Sequence, residues 1–279
     1  MDEEALLSHL DRQVEAGVDA VVPAGTTGES ATLSHDEHKK LVRTVVKHVR
    51  GRVPVIAGAG SNSTAETIEL TRAARDAGAD AALLISPYYN KPDQEGIYQH
   101  YRSVAEAVHI PVILYNVPGR TASNMLPETV GRLAEVANII GIKDATADMA
   151  QLARTMNAGN GRIEFYSGDD ATVMPFMAMG GAGVISVASN IVPQAMIRLV
   201  QAMRRNDIAL AGQQQLDLQE LNDALFIQSN PIPVKAACAM MGWMGWDIRL
   251  PLTILPEAKR IRLHATLKAF GLEPKSAHP

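Results

Sequence analysis

Apolar positions along this chain fall into two alternating kinds of segment. Short β-rich runs recur at intervals of roughly 20 to 35 residues: Ala20–Pro23, Pro54–Ala57, Ala82–Ser86, Val112–Val117, Ile139–Lys143, Ile163–Ser167 and Gly183–Val187. None alternates apolar with polar residues, as expected of strands covered on both faces. The stretches between them carry helical spacing and start signals. Ser34, with Glu37 three residues on, predicts a capping box ahead of Leu41, Val42 and Val45. Ser63 or Thr64 opens the segment holding Ile68 and Leu70, and Gly78 stands where a left-handed glycine would stop it. The chain begins on a helical stretch, Glu3–Glu15. Strand and helix in regular alternation predict a parallel sheet.

Polar residues cluster after many of the runs: Gly25–Ser30, Tyr88–Lys91, Asn116–Thr121, Asp144–Thr146 and Gly168–Asp170. An open, doubly wound sheet concentrates such residues at one switch point, whereas a barrel spreads them around one mouth. The spread predicts an α/β chain of the (β/α)8 TIM-barrel class, occupying residues 1–192. Seven runs are visible where eight are needed, so the first strand is expected to be missing, because an open seven-strand barrel would leave an unpaired edge. From residue 193 the strand signal ends. Residues 193–279 are expected to give the last barrel helix and a C-terminal appendage of helices at Leu210–Ile227, Pro233–Met241 and Pro256–Phe270, two of them with a proline suited to a first turn. The tail Lys275–Pro279 is expected to be loose.

Composition narrows the function classes. The chain has 279 residues, 47% hydrophobic and 20% charged, an ordinary globular profile. A net charge of −4 leaves no basic surface for a phosphate backbone, which argues against nucleic acid as a partner. Cys238 is the single cysteine, so no internal disulfide can form. No run reaches the roughly 18 apolar residues of a membrane span. The opening Met-Asp-Glu-Glu-Ala lacks the regions of a signal peptide, and a cytoplasmic location is expected.

The candidate chemistry sits at strand ends. Lys143 closes the apolar run Ile139-Ile-Gly-Ile-Lys143. Partial desolvation there would lower its pKa, and a neutral amine can attack a ketone to form an imine. The alternative is a lysine that snorkels to solvent or pairs with Asp144. Tyr115-Asn-Val-Pro-Gly-Arg-Thr121 offers a phenol to move a proton and, in Arg120, a guanidinium to hold a carboxylate. A packed tyrosine and a solvent-facing arginine would read the same. Gly25-Thr-Thr-Gly-Glu-Ser30 is either an anion nest with hydroxyl donors or an ordinary glycine turn; no Gly-Lys-Ser/Thr follows it, so it is no nucleotide-phosphate loop. Pro87-Tyr-Tyr-Asn90 suggests only aromatic packing. His35 and His38 lack a third metal ligand at a suitable spacing and read as a solvated helix face. No metal or cofactor is called for.

These motifs, with Asn230-Pro-Ile-Pro-Val-Lys235, stand in an order that resembles the dihydrodipicolinate synthase / N-acetylneuraminate lyase superfamily over essentially the whole chain. The resemblance implies a (β/α)8 barrel, a covalent lysine imine as the only prosthetic chemistry, and pyruvate as a substrate. It assigns the Schiff base to Lys143, acid–base work to Tyr115, and a proton relay to Thr26 and Tyr89, the last crossing from the neighbouring subunit of a tight dimer. It assigns the pyruvate carboxylate to Thr27 with Thr26, and the pocket lining to Gly168 and Ile185. Arg120 is expected to receive L-aspartate 4-semialdehyde, and favours condensation with that aldehyde over the sugar-acid lyases. Other Schiff-base aldolases, keto-sugar-acid dehydratases and a silent binding protein are the competing readings. The same resemblance implies L-lysine inhibition at Ser30, Ala31, His35, His38, Asn62, Glu66 and Tyr88, and a homotetramer built as a dimer of dimers. Members of the superfamily carry a strand ahead of the first helix, matching the count of seven.

Overall fold

The computed structural model describes residues 1–279. Helix α1 (Glu3–Ala16) starts under the Asp2 carboxylate, which accepts the Ala5 N–H at 3.0 Å, and ends at Gly17 with φ 90°. The run Ala20–Pro23 then makes only one parallel bridge, Val21 to Val55, rather than the expected strand. Pro23 and Pro54 have no N–H to extend the ladder, and Ala24 turns to φ 55°.

Next come α2 (His35–Val49), β1 (Ile56–Gly58), α3 (Thr64–Asp76), β2 (Ala81–Ile85), α4 (Gln94–Ala107) and β3 (Val112–Asn116). The chain continues through α5 (Pro118–Thr121), α6 (Pro127–Leu133), β4 (Ile139–Asp144), α7 (Met149–Gly159), β5 (Glu164–Ser167), α8 (Val173–Ala178) and β6 (Gly183–Val184). It ends in α9 (Pro193–Arg204), α10 (Ile208–Leu225), α11 (Ile232–Met240) and α12 (Glu257–Ala269). The Ser34–Glu37 capping box forms at the start of α2. After α3, Gly78 at φ 88° donates to Arg75 O at 2.9 Å and Ala79 donates to Ala74 O at 3.1 Å, the paired bonds of a Schellman stop.

All six strands are parallel and pair in chain order, β1 to β6. Alternate residues therefore face opposite sides. One side packs Ala82, Leu84, Val112, Leu114, Ile142 and Phe165 under the helices. Full burial of each large aliphatic chain contributes about 1.5–3 kcal/mol. The other side carries Leu83, Ile113 and Tyr115, packed with Val22, Ile56, Ile85, Tyr166 and Ile185. That second side positions the site.

Three further sequence expectations need correction. The last run shrinks to Gly183–Val184, because the Val187 and Ala188 N–H groups turn away to the Asp170 carboxylate instead of a neighbouring strand. Pro233 lies in the first turn of α11, but Pro256 is the residue before α12. The tail is tied down: Lys275 N–H donates to Met240 O at 2.7 Å, and Arg260 Nε donates to Ala277 O at 3.0 Å. The terminal helices share one apolar cluster with the end of the sheet, running from Val173 and Val187 to Leu263 and Leu267. They are an extension of one core.

Candidate active site

The register of β3 against β4 sets Tyr115 beside Lys143, and that of β4 against β5 sets Lys143 beside Tyr166. Partners in a parallel ladder point to the same side, so sequence positions 28 apart meet at the sheet's inner face. Lys143 Nζ lies 4.4 Å from the centre of the Tyr115 ring. Burial pushes the Lys143 ammonium down to about 8; the Arg120 charge acts in the same direction and the Asp170 carboxylate opposes both. Asp144 does not pair with it. That carboxylate accepts the Thr146 N–H at 2.8 Å and the Thr146 hydroxyl at 2.6 Å. The lysine is thus neither a snorkelling surface group nor half of an ion pair with its neighbour.

Tyr115 is buried, 8% exposed, and burial raises its phenol above the ordinary range, with the Arg120 charge and the Thr26 hydroxyl opposing. Gly168 closes the other side of the lysine. A Cβ there would lie 2.8 Å from Ala145 Cβ and 2.9 Å from Lys143 Cε, so only glycine lets β5's end approach the amine so closely. Ile185 packs into the same inner cluster as Tyr115.

Thr26 and Thr27 lie in a 3-10 turn over Thr26–Gly28, closed by the Gly28 N–H to Gly25 O at 3.0 Å. Glu29, at φ 57°, leaves the turn and is held from outside by Lys235 Nζ and by the Arg249 N–H at 2.8 Å. Arg120 lies within the short α5, its Nη2 donating to Asn230 O at 2.9 Å. Thr26, Thr27, Tyr115, Arg120, Lys143, Gly168 and Ile185 therefore belong to one neighbourhood. Tyr89 does not join it within this chain: it is 89% exposed and adopts φ 74°, a strained conformation for an aromatic residue.

Of the second predicted set, His35, His38 and Glu66 lie together, apart from the lysine, with Asn62 and Tyr88 joined beside them. His35 Nε2 lies 2.5 Å from Glu66 Oε1, and the Ser61 hydroxyl donates to the other Glu66 oxygen. The Ser61 bond is the main cause of a Glu66 carboxyl held below its ordinary value. His38 is buried and donates Nε2–H to Gly58 O at 2.7 Å. Asn62 donates to Tyr88 O at 3.1 Å. Ser30 and Ala31 lie in the 3-10 turn that leads towards α2.

Two residues escaped sequence reasoning. Asp170, 2% exposed, accepts the Val187 and Ala188 N–H groups on Oδ2 at 2.8 Å each and leaves Oδ1 unpartnered. Burial raises its carboxyl. Paired acids after a strand, Asp169-Asp170, were the available signal. Asn230 appeared only inside a motif, with no role read from its residue type.

The dihydrodipicolinate synthetase family model matches residues 1–270. A 4-hydroxy-tetrahydrodipicolinate synthase of Pelobacter propionicus is 51% identical over 272 residues, covering 98% of this chain and 94% of the relative. Among solved structures, the chloride-inhibited dihydrodipicolinate synthase of Acinetobacter baumannii, complexed with pyruvate, superposes with a TM-score of 0.96 at 47% identity, over 98% of this chain and 94% of that one. The lysine-bound dihydrodipicolinate synthase of Cyanidioschyzon merolae gives 0.95 at 41% identity, over 98% and 93%.

Proposed function

The chain belongs to the dihydrodipicolinate synthetase family, and from that membership we propose that it condenses pyruvate with L-aspartate 4-semialdehyde through a Schiff base on Lys143, giving 4-hydroxy-tetrahydrodipicolinate. The observation that carries the residue assignment is a lysine with its pKa pushed down to about 8, set 4.4 Å from a buried tyrosine ring.

The chemistry follows from those two groups. The free amine of Lys143 attacks the keto carbon; loss of water leaves an iminium, which makes the adjacent methyl acidic. A proton leaves that carbon and the resulting enamine attacks the aldehyde, whose oxygen takes a proton. The Tyr115 phenol, with the Thr26 hydroxyl beside it, serves these transfers. The amine of the bound semialdehyde then displaces Lys143 from the imine and closes the ring. Thr27 and Thr26 bind the pyruvate carboxylate, Gly168 and Ile185 line its pocket, and Arg120 receives the carboxylate of the second substrate. No metal or organic cofactor takes part; the covalent imine is the electron sink. The parallel order of β1 to β6, with Val21 bridged to Val55 at one edge, supports closure in the (β/α)8 manner.

Tyr89 completes the proton relay from a second subunit of a tight dimer, two of which make a tetramer. Its exposure and left-handed backbone support that reading, since nothing within the chain uses the ring. L-Lysine inhibits at the cluster of Ser30, Ala31, His35, His38, Asn62, Glu66 and Tyr88. Glu66 would meet its ammonium and Asn62 its carboxylate, and Tyr88 adjoins the relay residue. Millimolar L-lysine should lower the rate; an unchanged rate contradicts this part.

The test of the whole reading is product formation by the purified protein. Pyruvate with L-aspartate 4-semialdehyde should give the cyclic product, with sugar aldehydes and keto-sugar acids turned over poorly. Preference for a sugar substrate would move the chain to another Schiff-base activity, and no turnover by folded protein would favour a silent binding role.

A further inference from the structure

The Asn230–Lys235 segment brackets the catalytic turn from the far end of the chain. Asn230 is 5% exposed. Its side-chain Nδ2 donates to Thr27 Oγ1 at 3.0 Å, across 203 residues of sequence, and its Oδ1 is a longer-range acceptor for the same hydroxyl at 3.4 Å. Its main-chain oxygen accepts Arg120 Nη2 at 2.9 Å. Five positions later, Lys235 Nζ holds the Glu29 carboxylate at the other end of the turn. One residue thus touches both groups assigned to carboxylate recognition, through different atoms.

We propose that Asn230 is a positioning residue for the keto acid: its amide N–H donates to Thr27 Oγ1, so that the threonine's own hydrogen is aimed at the substrate carboxylate. A hydroxyl has one hydrogen to give and lone pairs to accept with. With the shorter contact occupied by an amide donor, the hydrogen's one acceptor in the chain is Asn230 Oδ1 at 3.4 Å, a long contact that a substrate carboxylate displaces. With an acceptor in its place, the hydrogen turns to the acceptor and the anion loses its donor. Asn230 acts through Thr27 and touches no reacting atom. Its hold on Arg120 uses the backbone and survives substitution of the side chain. The two links are therefore separable. The proposal rests on the assignment of Thr27 to the pyruvate carboxylate.

The test compares Asn230→Ala, Asn230→Asp and Thr27→Val in the full-length protein, reading the KM for each substrate separately and the pyruvate dependence of borohydride trapping. A hydrogen bond to a charged group, lost or misdirected, changes binding by about ten- to a hundredfold. Asn230→Ala should raise the KM for pyruvate by about tenfold, while the KM for the semialdehyde moves less than about twofold. Asn230→Asp, nearly the same shape but an acceptor only, should be worse than alanine for pyruvate. A merely structural asparagine would give the opposite order, with the isosteric variant the milder one, and that order would overturn the proposal. In a Thr27→Val background, Asn230→Ala should add less than about twofold, the non-additivity expected of one chain of contacts. If Thr27→Val raises the pyruvate KM and neither Asn230 variant does, the positioning role is wrong and the carboxylate site stands. If Thr27→Val itself leaves pyruvate binding unchanged, the carboxylate assignment fails first. Should Asn230→Ala not fold, the Asp variant and its rank against Thr27→Val still decide.

Discussion

An amine with a pKa of about 8 is free in about one molecule in eleven at pH 7, against roughly one in three thousand for an ordinary lysine. That gain is what burial of Lys143 supplies. The sign is definite: the attacking form is the deprotonated one, so imine formation at fixed pyruvate should rise with pH, steeply below about 8, and level off above it. Stopped-flow measurement of the first turnover checks this, and a rate still climbing at pH 10 would mean that the lysine is not depressed. Gly168 gives a steric prediction. Gly168→Ala forces a methyl to 2.9 Å from Lys143 Cε and should slow imine formation by about a hundredfold, with the folded circular dichroism spectrum retained. Imine formation at the normal rate would show that the lysine can move aside.

Among the elements, α4 carries a group poised to weaken the fold in acid. His100 is 5% exposed, bonds Thr64 through Nδ1 at 2.9 Å, and leaves Nε2 without a partner. Burial lowers its pKa to about 4 from 6.5. The unfolded chain therefore binds a proton that the folded chain refuses, so stability present above about 6.5 is lost as pH falls towards 4. Calorimetric Tm values from pH 7 to 5 should fall more steeply for the parent than for His100→Gln; parallel slopes would place the acid lability elsewhere. Elements with strong local signals were readable from sequence. The Ser34–Glu37 box and the Gly78 stop are short-range chemistry, and β3 and β4 are apolar runs ended by polar motifs. That is why Tyr115 and Lys143 could be picked out. What could not be read depends on distant partners. Val21's run stops at one bridge because Pro23 and Pro54, on either side of it, have no N–H to give, and the tail is docked by Met240 and Arg260. Asn230 meets Thr27 and Arg120 across 203 and 110 residues, and no periodicity reports such a meeting.

At the scale of the whole molecule, the exposed Tyr89 requires a second chain if it works in the relay. A dimer makes this testable by complementation. Tyr89→Ala and Lys143→Ala chains should each be nearly inactive alone, whereas co-assembled hybrids should regain activity, because one of the two sites then holds both native groups. No recovery in verified hybrids would confine each site to one chain. Every such reading depends on the covalent chemistry of one residue. The most direct measurement is borohydride reduction of the intact protein with pyruvate, followed by intact mass and peptide mapping. One stable adduct per chain, on Lys143 and absent from Lys143→Ala, is the expected result. Folded protein that gains no adduct, or gains it on another lysine, would contradict the assignment.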